Sequence, residues 1–337
     1  MAPMAGSCPP ALAAAVANAG GMGGCGALLM QAEEMAAWAE RFRGASNGAF
    51  QMNLWIPDPA PVRDPEREAT VRQFLAGWGS EPAPDAAHLP VPDFGAQCRA
   101  MLNCRPQVIS SIMGLYPLPF VAEMKRLGIA WFATATTVGE AIEAQAAGAD
   151  AVIAQGMEAG GHRGAFEAGA AEATMIGSMA LIPAIVDAIE VPVIAAGGIA
   201  DGRGVAAALT LGASAVMVGT ALLRSPEAAI SPAWAEGLAK ARPEDTVATR
   251  AFSGRLGRGL RTAFTEAWGK AGAPLPAPYP IQRNLTAPLR AQGVQEDDID
   301  RIQAWAGQSA GRAQHIRAGE IVRGLWADAE KLLPAAG

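Results

Sequence analysis

Residues 193–220 read VIAAGGIADGRGVAAALTLGASAVMVGT. A short apolar run, 193–196, stops at Gly197-Gly198, and an alanine-rich stretch then leads to Gly212. A second apolar run, 215–218, stops at Gly219-Thr220. Continuous apolar runs of this length suit strands buried on both faces, as in a parallel sheet. The glycine between helix and strand suits a left-handed helix cap followed by a short loop. The same punctuation recurs in LGIAWF and AGADAV, which place Gly128 and Gly148 as LGASAV places Gly212.

Working outward, further apolar runs stand at 26–30, 50–56, 108–113, 131–134 and 151–154, with helical stretches such as TVGEAIEAQAAGA between them. Residues 1–5 are the remains of an eighth run. Alternating strands and helices leave a doubly wound sheet or a (β/α)8 barrel. Eight units within roughly 225 residues point to the α/β class and the TIM barrel. Two stretches break the rhythm. Residues 57–106 are proline-rich and charged, an elaborated crossover, and beyond Arg224 the alternation stops. The expected division is a barrel over 1–224, a mainly helical cap and substrate region over 225–309, and C-terminal helices over 310–337 that complete the barrel.

Of the 337 residues, 51% are hydrophobic and 17% charged, so apolar surface is ample for a core and disorder is excluded. A net charge of −6 without a Lys/Arg block argues against nucleic acid as a partner. Cys8, Cys25, Cys98 and Cys104 form no CxxC pair and are too sparse for a disulfide framework, which fits buried thiols in a reduced, cytoplasmic compartment. No apolar stretch reaches the ~18 residues of a membrane span. The start, MAPMAGSCPP, has no basic region of the secretory kind.

Barrel enzymes work at the carboxyl ends of their strands and often bind phosphate after the last two. Gly197 and Gly198 would admit an anion close to the backbone, and Gly219-Thr220 would add N–H donors and a hydroxyl; tight turns alone would also explain each pair. His162 follows the run 151–154 on the same rim, inside AQGMEAGGHRGAF (154–166). An imidazole titrating near pH 6.5 suits proton transfer there; a structural loop histidine is the alternative. Asn53 and Gln155 end apolar runs as buried amides, either hydrogen-bonded within the fold or facing a ligand. Met4 is a candidate ligand contact. His88 and His315 read as incidental.

Together APMAG, NAGGMGG, MNL, AQGMEAGGHRGAF, AAGGIADGRG, GASAVMVGTA, SGRLGRGL and WAGQSAG resemble the nitronate monooxygenase family, formerly 2-nitropropane dioxygenases, and EAGGHRG resembles its class I. The resemblance implies an FMN-binding barrel without a metal. It places Met4, Asn53, Gln155, Gly160, Gly161, Gly197, Gly198, Met217, Val218, Gly219 and Thr220 around the flavin, and makes His162 the catalytic residue. It implies oxidation of alkyl nitronates, such as propionate 3-nitronate, by O2 to a carbonyl compound and nitrite. His162 would either stabilise the anionic substrate or abstract a proton from a neutral nitroalkane. The partners implied are that small substrate and O2, with a homodimer left open.

The chain departs from the family pattern in three places. The segment before APMAG is short, so the start is truncated or misassigned. Ser110-Ser111-Ile112-Met113-Gly114 replaces a histidine-bearing pattern like SFHFG, and Tyr279 in PYP is only a loose match to an aromatic site residue. The competing readings are an NAD(P)H-dependent FMN reductase of enoyl-ACP or quinone type, and a flavin-binding barrel without turnover.

Overall fold

Seven strands of the computed structural model, which describes residues 1–334, run parallel in one curled sheet. They are β1 (Gly23–Gly26), β2 (Phe50–Trp55), β3 (Val108–Ile112), β4 (Ala130–Ala135), β5 (Ala151–Gln155), β7 (Val193–Ala196) and β8 (Ala215–Met217), neighbours in that order. The short β6 (Gly161–His162) belongs to a second sheet with β9 (Thr246–Thr249) and β10 (Gly257–Leu260). Gly128, Gly148 and Gly212 have φ of 69°, 97° and 97°, so the repeated glycines do cap their helices in the left-handed conformation.

The first strand lies earlier than its apolar signal, at Gly23–Gly26 rather than 26–30. Glycine carries no hydropathy pattern, yet close approach demands it here. A Cβ at Gly24 would lie 2.9 Å from Met1 O, and one at Gly26 would lie 2.5 Å from Ala5 N. The N-terminal segment thus runs along β1. On its other side Ala2 N–H donates to Val218 O at 2.8 Å, while from β2 Gln51 Nε2 donates to Met1 O at 3.0 Å. Residues 1–4 therefore stand between β8 and β1, in the eighth place of the barrel, as an extended segment rather than a laddered strand.

Outside the barrel the helix Ala318–Glu330 packs on both Gly202–Thr210 and Pro10–Asn18, bridging the last βα unit and the first. Contact is close: a Cβ at Gly202 would fall 2.5 Å from Asp328 Cβ. The expected C-terminal range extends to 337, and its last three residues lie outside those described. All four cysteines are buried and unpaired. Among the described residues no helix is long and apolar enough to cross a membrane.

The two irregular regions share one core. Val71 and Leu75, from the crossover, pack with Phe252, Phe264, Trp268, Leu285 and Leu289 from the later insertion. Arg255 is paired with Asp58 across 197 residues of sequence, and Nε donates to Oδ2 at 2.8 Å. The insertion is not only helical, because β9 and β10 form an antiparallel pair within it. TVAT and GRGL are four residues each and lack an alternating apolar pattern, so nothing local announces a strand. Their pairing matters for the site: Gly257 of β10 lies opposite His162 of β6.

Candidate active site

The carboxyl ends of the parallel strands open into a cavity of about 310 Å³. Gly197 and Gly198 follow β7 with φ of 107° and 74°, backbone that a residue with a Cβ adopts at a cost of roughly 1 kcal/mol or more. Gly219 and Thr220 follow β8, Thr220 opening a 3-10 turn to Leu222. Among the described residues the N–H groups of Gly198, Gly219 and Thr220 donate no hydrogen bond. Unpaired N–H groups gathered at one rim are what an anion requires.

Gly160 makes the neighbouring wall thin. A Cβ there would stand 2.5 Å from Gly307 N and 2.9 Å from Thr220 Oγ1, where Gly307 N–H already donates to the hydroxyl at 3.0 Å. Ser309 closes the same side, its Oγ donating to Gly198 O at 2.6 Å.

His162 is held by both layers of the fold. Gln155 Nε2 donates to His162 O at 3.0 Å, while Gln155 Oε1 accepts from Gly164 N at 2.7 Å. The buried Arg163 anchors the same loop by donating to the carbonyls of Gln155, Thr136 and Thr174. The imidazole packs at a steep angle against two indoles, with ring centroids 4.5 Å from Trp55 and 4.7 Å from Trp305. Its Nε2 is 2.7 Å from Ser253 Oγ, which is also 3.1 Å from Arg255 O. If the serine proton is given to that carbonyl, Nε2–H donates to Ser253 and Nδ1 is the free base; the other tautomer reverses this.

Burial lowers the His162 pKa to about 3, helped by the positive charges of Arg255, Arg290 and Arg283. The ring is therefore neutral across the physiological range. The cavity wall carries Arg283 and Arg290 but no Asp or Glu. Burial, with Arg283 alongside, lowers Arg290 to about 10, still charged at neutral pH.

Met4, Asn53, Gln155, Gly160, Gly161, His162, Gly197, Gly198, Met217, Gly219 and Thr220 are all brought to this wall. Val218 is not: it is buried, and its carbonyl is taken by Ala2. Asn53 Nδ2 donates to Ser110 Oγ at 3.0 Å, and Ser110 Oγ donates to Gln51 Oε1 at 2.8 Å. Ile112 stands in the place of the expected family histidine and lines the cavity. Tyr279 sits behind Trp55, 5.1 Å between ring centroids, outside the wall itself. His88 meets Arg63 on the crossover and His315 lies in an exposed turn, both away from the wall. Among the described residues no group of three or more His, Cys, Asp or Glu could hold a metal.

The sequence reading missed Trp55, Ser253, Arg283, Arg290 and Trp305 as wall residues. Trp55 had a signal, since it is two residues from Asn53 on a strand and shares its face. Ser253 opens the SGRLGRGL motif. The arginines and Trp305 come from the insertion, where no local pattern points inward.

A family model described as nitronate monooxygenase matches residues 1–328. The chain is 39% identical to the nitronate monooxygenase of Pseudomonas aeruginosa, over 96% of this chain and 93% of that protein. It is 36% identical to the nitronate monooxygenase of Paraburkholderia phytofirmans, over 96% and 90%. Among solved structures, the nitroalkane oxidase of Streptomyces ansochromogenes superposes with a TM-score of 0.91 at 34% identity, covering 98% of this chain and 95% of that one. FabK of Thermotoga maritima superposes with a TM-score of 0.76 at 28% identity, covering 98% and 92%. With its whole barrel, its glycine-lined strand ends and the His162 loop inside the matched region, this chain belongs to the nitronate monooxygenase family of enzymes.

Proposed function

We propose that the protein binds FMN and oxidises alkyl nitronates with O2, yielding a carbonyl compound and nitrite. The observation that carries the reading is a cavity with backbone N–H groups that have no protein acceptor at one rim and, around His162, two arginines without a facing carboxylate. The N–H groups of Gly198, Gly219 and Thr220 would hold the phosphate, and the thin wall at Gly160 would admit the ring system. FMN supplies the redox capacity that no side chain of this wall possesses.

His162 acts in this reading as a neutral hydrogen-bonding partner of the substrate. A base whose conjugate acid titrates near 3 surrenders driving force for removing a carbon-bound proton, at about 1.4 kcal/mol per unit. The preformed nitronate is thus the better substrate, and the arginines rather than an imidazolium provide the positive field that draws it in. Trp55 and Trp305 fix the ring from both sides, Ser253 holds Nε2, and Gln155 and Arg163 fix the loop behind it.

The test is anaerobic mixing of the purified yellow protein with propionate 3-nitronate, NADH or NADPH while the flavin absorbance is followed. Bleaching by the nitronate and not by the pyridine nucleotides is expected. Bleaching by NADH or NADPH alone would replace this reading with a reductase. No bleaching at all would leave a flavin-binding barrel. Acid release should yield FMN rather than FAD, since no GxGxxG fingerprint follows the first strand.

A further inference from the structure

The motif WAGQSAG, residues 305–311, leaves the insertion and runs over the strand ends as a strap. It starts on the second sheet, where Trp305 bridges Gly259 and Ala306 N–H donates to Arg258 O at 3.2 Å. Its next three residues each bond to a different loop of the barrel. Gly307 N–H donates to Thr220 Oγ1 at 3.0 Å, after β8. Gln308 N–H donates to Glu158 O at 2.9 Å, after β5. Ser309 Oγ donates to Gly198 O at 2.6 Å, after β7. Arg312, just beyond, reaches Asp201 at 3.3 Å, but its side chain is 57% exposed and the pair adds little hold.

The strap lies at backbone distance from what it holds. A Cβ at Gly307 would stand 2.9 Å from Glu158 O, and one at Gly311 would overlap Ala241 O. Of the groups it touches, the peptide between Gly198 and Ile199 is the one that local sterics fix least. Gly198 has φ of 74° and no Cβ, so that peptide can turn either way at little cost. Planarity sets its C=O and N–H on opposite sides, and a flip would put an acceptor where a donor had been. Ile199 lines the cavity, and its N–H has no protein acceptor among the described residues. Ser178 Oγ stands 3.3 Å from the neighbouring Gly197 O, but its shorter bond goes to Glu158 Oε2 at 2.9 Å. Ser309 is therefore the firmer hold on this turn.

We infer that Ser309 is a positioning residue for the cofactor: by holding the Gly198 carbonyl it keeps the Ile199 N–H turned to the phosphate of FMN, beside the N–H groups of Gly198, Gly219 and Thr220. This rests on FMN as the cofactor. Gly307 supports the same cradle, since its N–H occupies a lone pair of Thr220 Oγ1 and leaves the hydroxyl hydrogen for an outside acceptor. The phosphate cradle is thus set by the insertion as well as by the barrel. Donors fixed before the anion arrives need not be ordered on binding, and a hydrogen bond to a phosphate oxygen is of the strong, charge-assisted kind.

The experiment needs no turnover. Purified holoenzyme is dialysed to equilibrium against a mixture of FMN and riboflavin, which has the same ring and ribityl chain without the phosphate. The bound flavins are then released with acid and separated by chromatography. The wild type should prefer FMN. In Ser309→Ala the ratio of bound FMN to bound riboflavin should fall about 10-fold, the lower end for one lost hydrogen bond to a charged group. Ser309→Thr keeps the hydroxyl and should retain most of the preference. An unchanged ratio in Ser309→Ala would overturn the proposal, whether total flavin content holds or falls. An equal fall in Ser309→Thr would also overturn it, by assigning the effect to packing rather than to the hydroxyl. A second readout leaves residue 309 intact: in wild type labelled with 15N-isoleucine, the Ile199 amide proton, assigned by its loss in Ile199→Val, should lie further downfield with FMN bound than with riboflavin. The same position in both complexes would refute the inference, even if Ser309→Ala failed to fold. A wild type without preference for FMN would defeat the phosphate cradle itself, whereas a wild type that prefers FMN beside an unaltered Ser309→Ala defeats only the role of Ser309. Neither readout involves a nitronate, so the reaction proposed above stands or falls separately.

Discussion

Replacing His162 with Asn should change how the stability of this protein responds to acid. In the unfolded chain the imidazole takes up a proton near pH 6.5, whereas in the fold burial and the nearby arginines delay this to about pH 3. Between those values the unfolded state binds the extra proton and the native state does not. Stability is therefore fully present above about pH 6.5 and is lost progressively as pH falls toward 3. From pH 7 to pH 5 the two pKa values give a loss of about 2 kcal/mol from this one group. The asparagine variant carries a constant penalty for the lost contacts with Trp55, Trp305 and Ser253, but it cannot titrate. Urea unfolding at matched flavin content, followed by far-UV circular dichroism at pH 7, 6 and 5, should show the wild type weakening relative to the variant by that amount. Parallel pH dependences would refute the reasoning, because they would mean that the folded imidazole titrates near its ordinary value. The same neutrality predicts that kcat/KM on preformed nitronate shows no histidine-like step near pH 6.5.

Gly160→Ala should cost about 1–3 kcal/mol of stability or release the flavin, because its Cβ would press on backbone at Gly307 rather than on a movable side chain; retention of full flavin and an unchanged urea midpoint would contradict this. Gly198→Asp should weaken FMN far more than it weakens the fold, by several kcal/mol of repulsion at an effective dielectric of about 20, read by flavin content after gel filtration; stoichiometric flavin would show the phosphate cradle misplaced. Asp58→Asn leaves Arg255, buried between barrel and insertion, without its counter-ion. A loss of about 3–5 kcal/mol in urea unfolding is expected, and a loss below 1 kcal/mol would show that solvent reaches the arginine.

Much of the architecture was legible in residue order alone. Buried parallel strands are short, continuous and apolar, and helices that must turn back into them end on glycine, so β2 to β5, β7 and β8 announce themselves locally. Residues at strand ends share one rim by topology, which is why Gly198, Thr220 and His162 could be grouped without coordinates. What local pattern could not supply is everything created by distant chain meeting distant chain. β1 is written in glycine because the N-terminal segment runs against it, a reason that lies some twenty residues away. β9 and β10 owe their strand character to pairing with each other and with β6, not to their own composition. The charge state of His162 is the clearest case. Its sequence neighbours are mostly glycines, and free imidazole titrates near neutrality; only the fold surrounds it with Trp55 of β2 and with Trp305 and three arginines of the insertion. Hydropathy and turn chemistry act between neighbours in sequence, whereas desolvation and Coulomb forces act between neighbours in space, and the second set decides what this histidine can do.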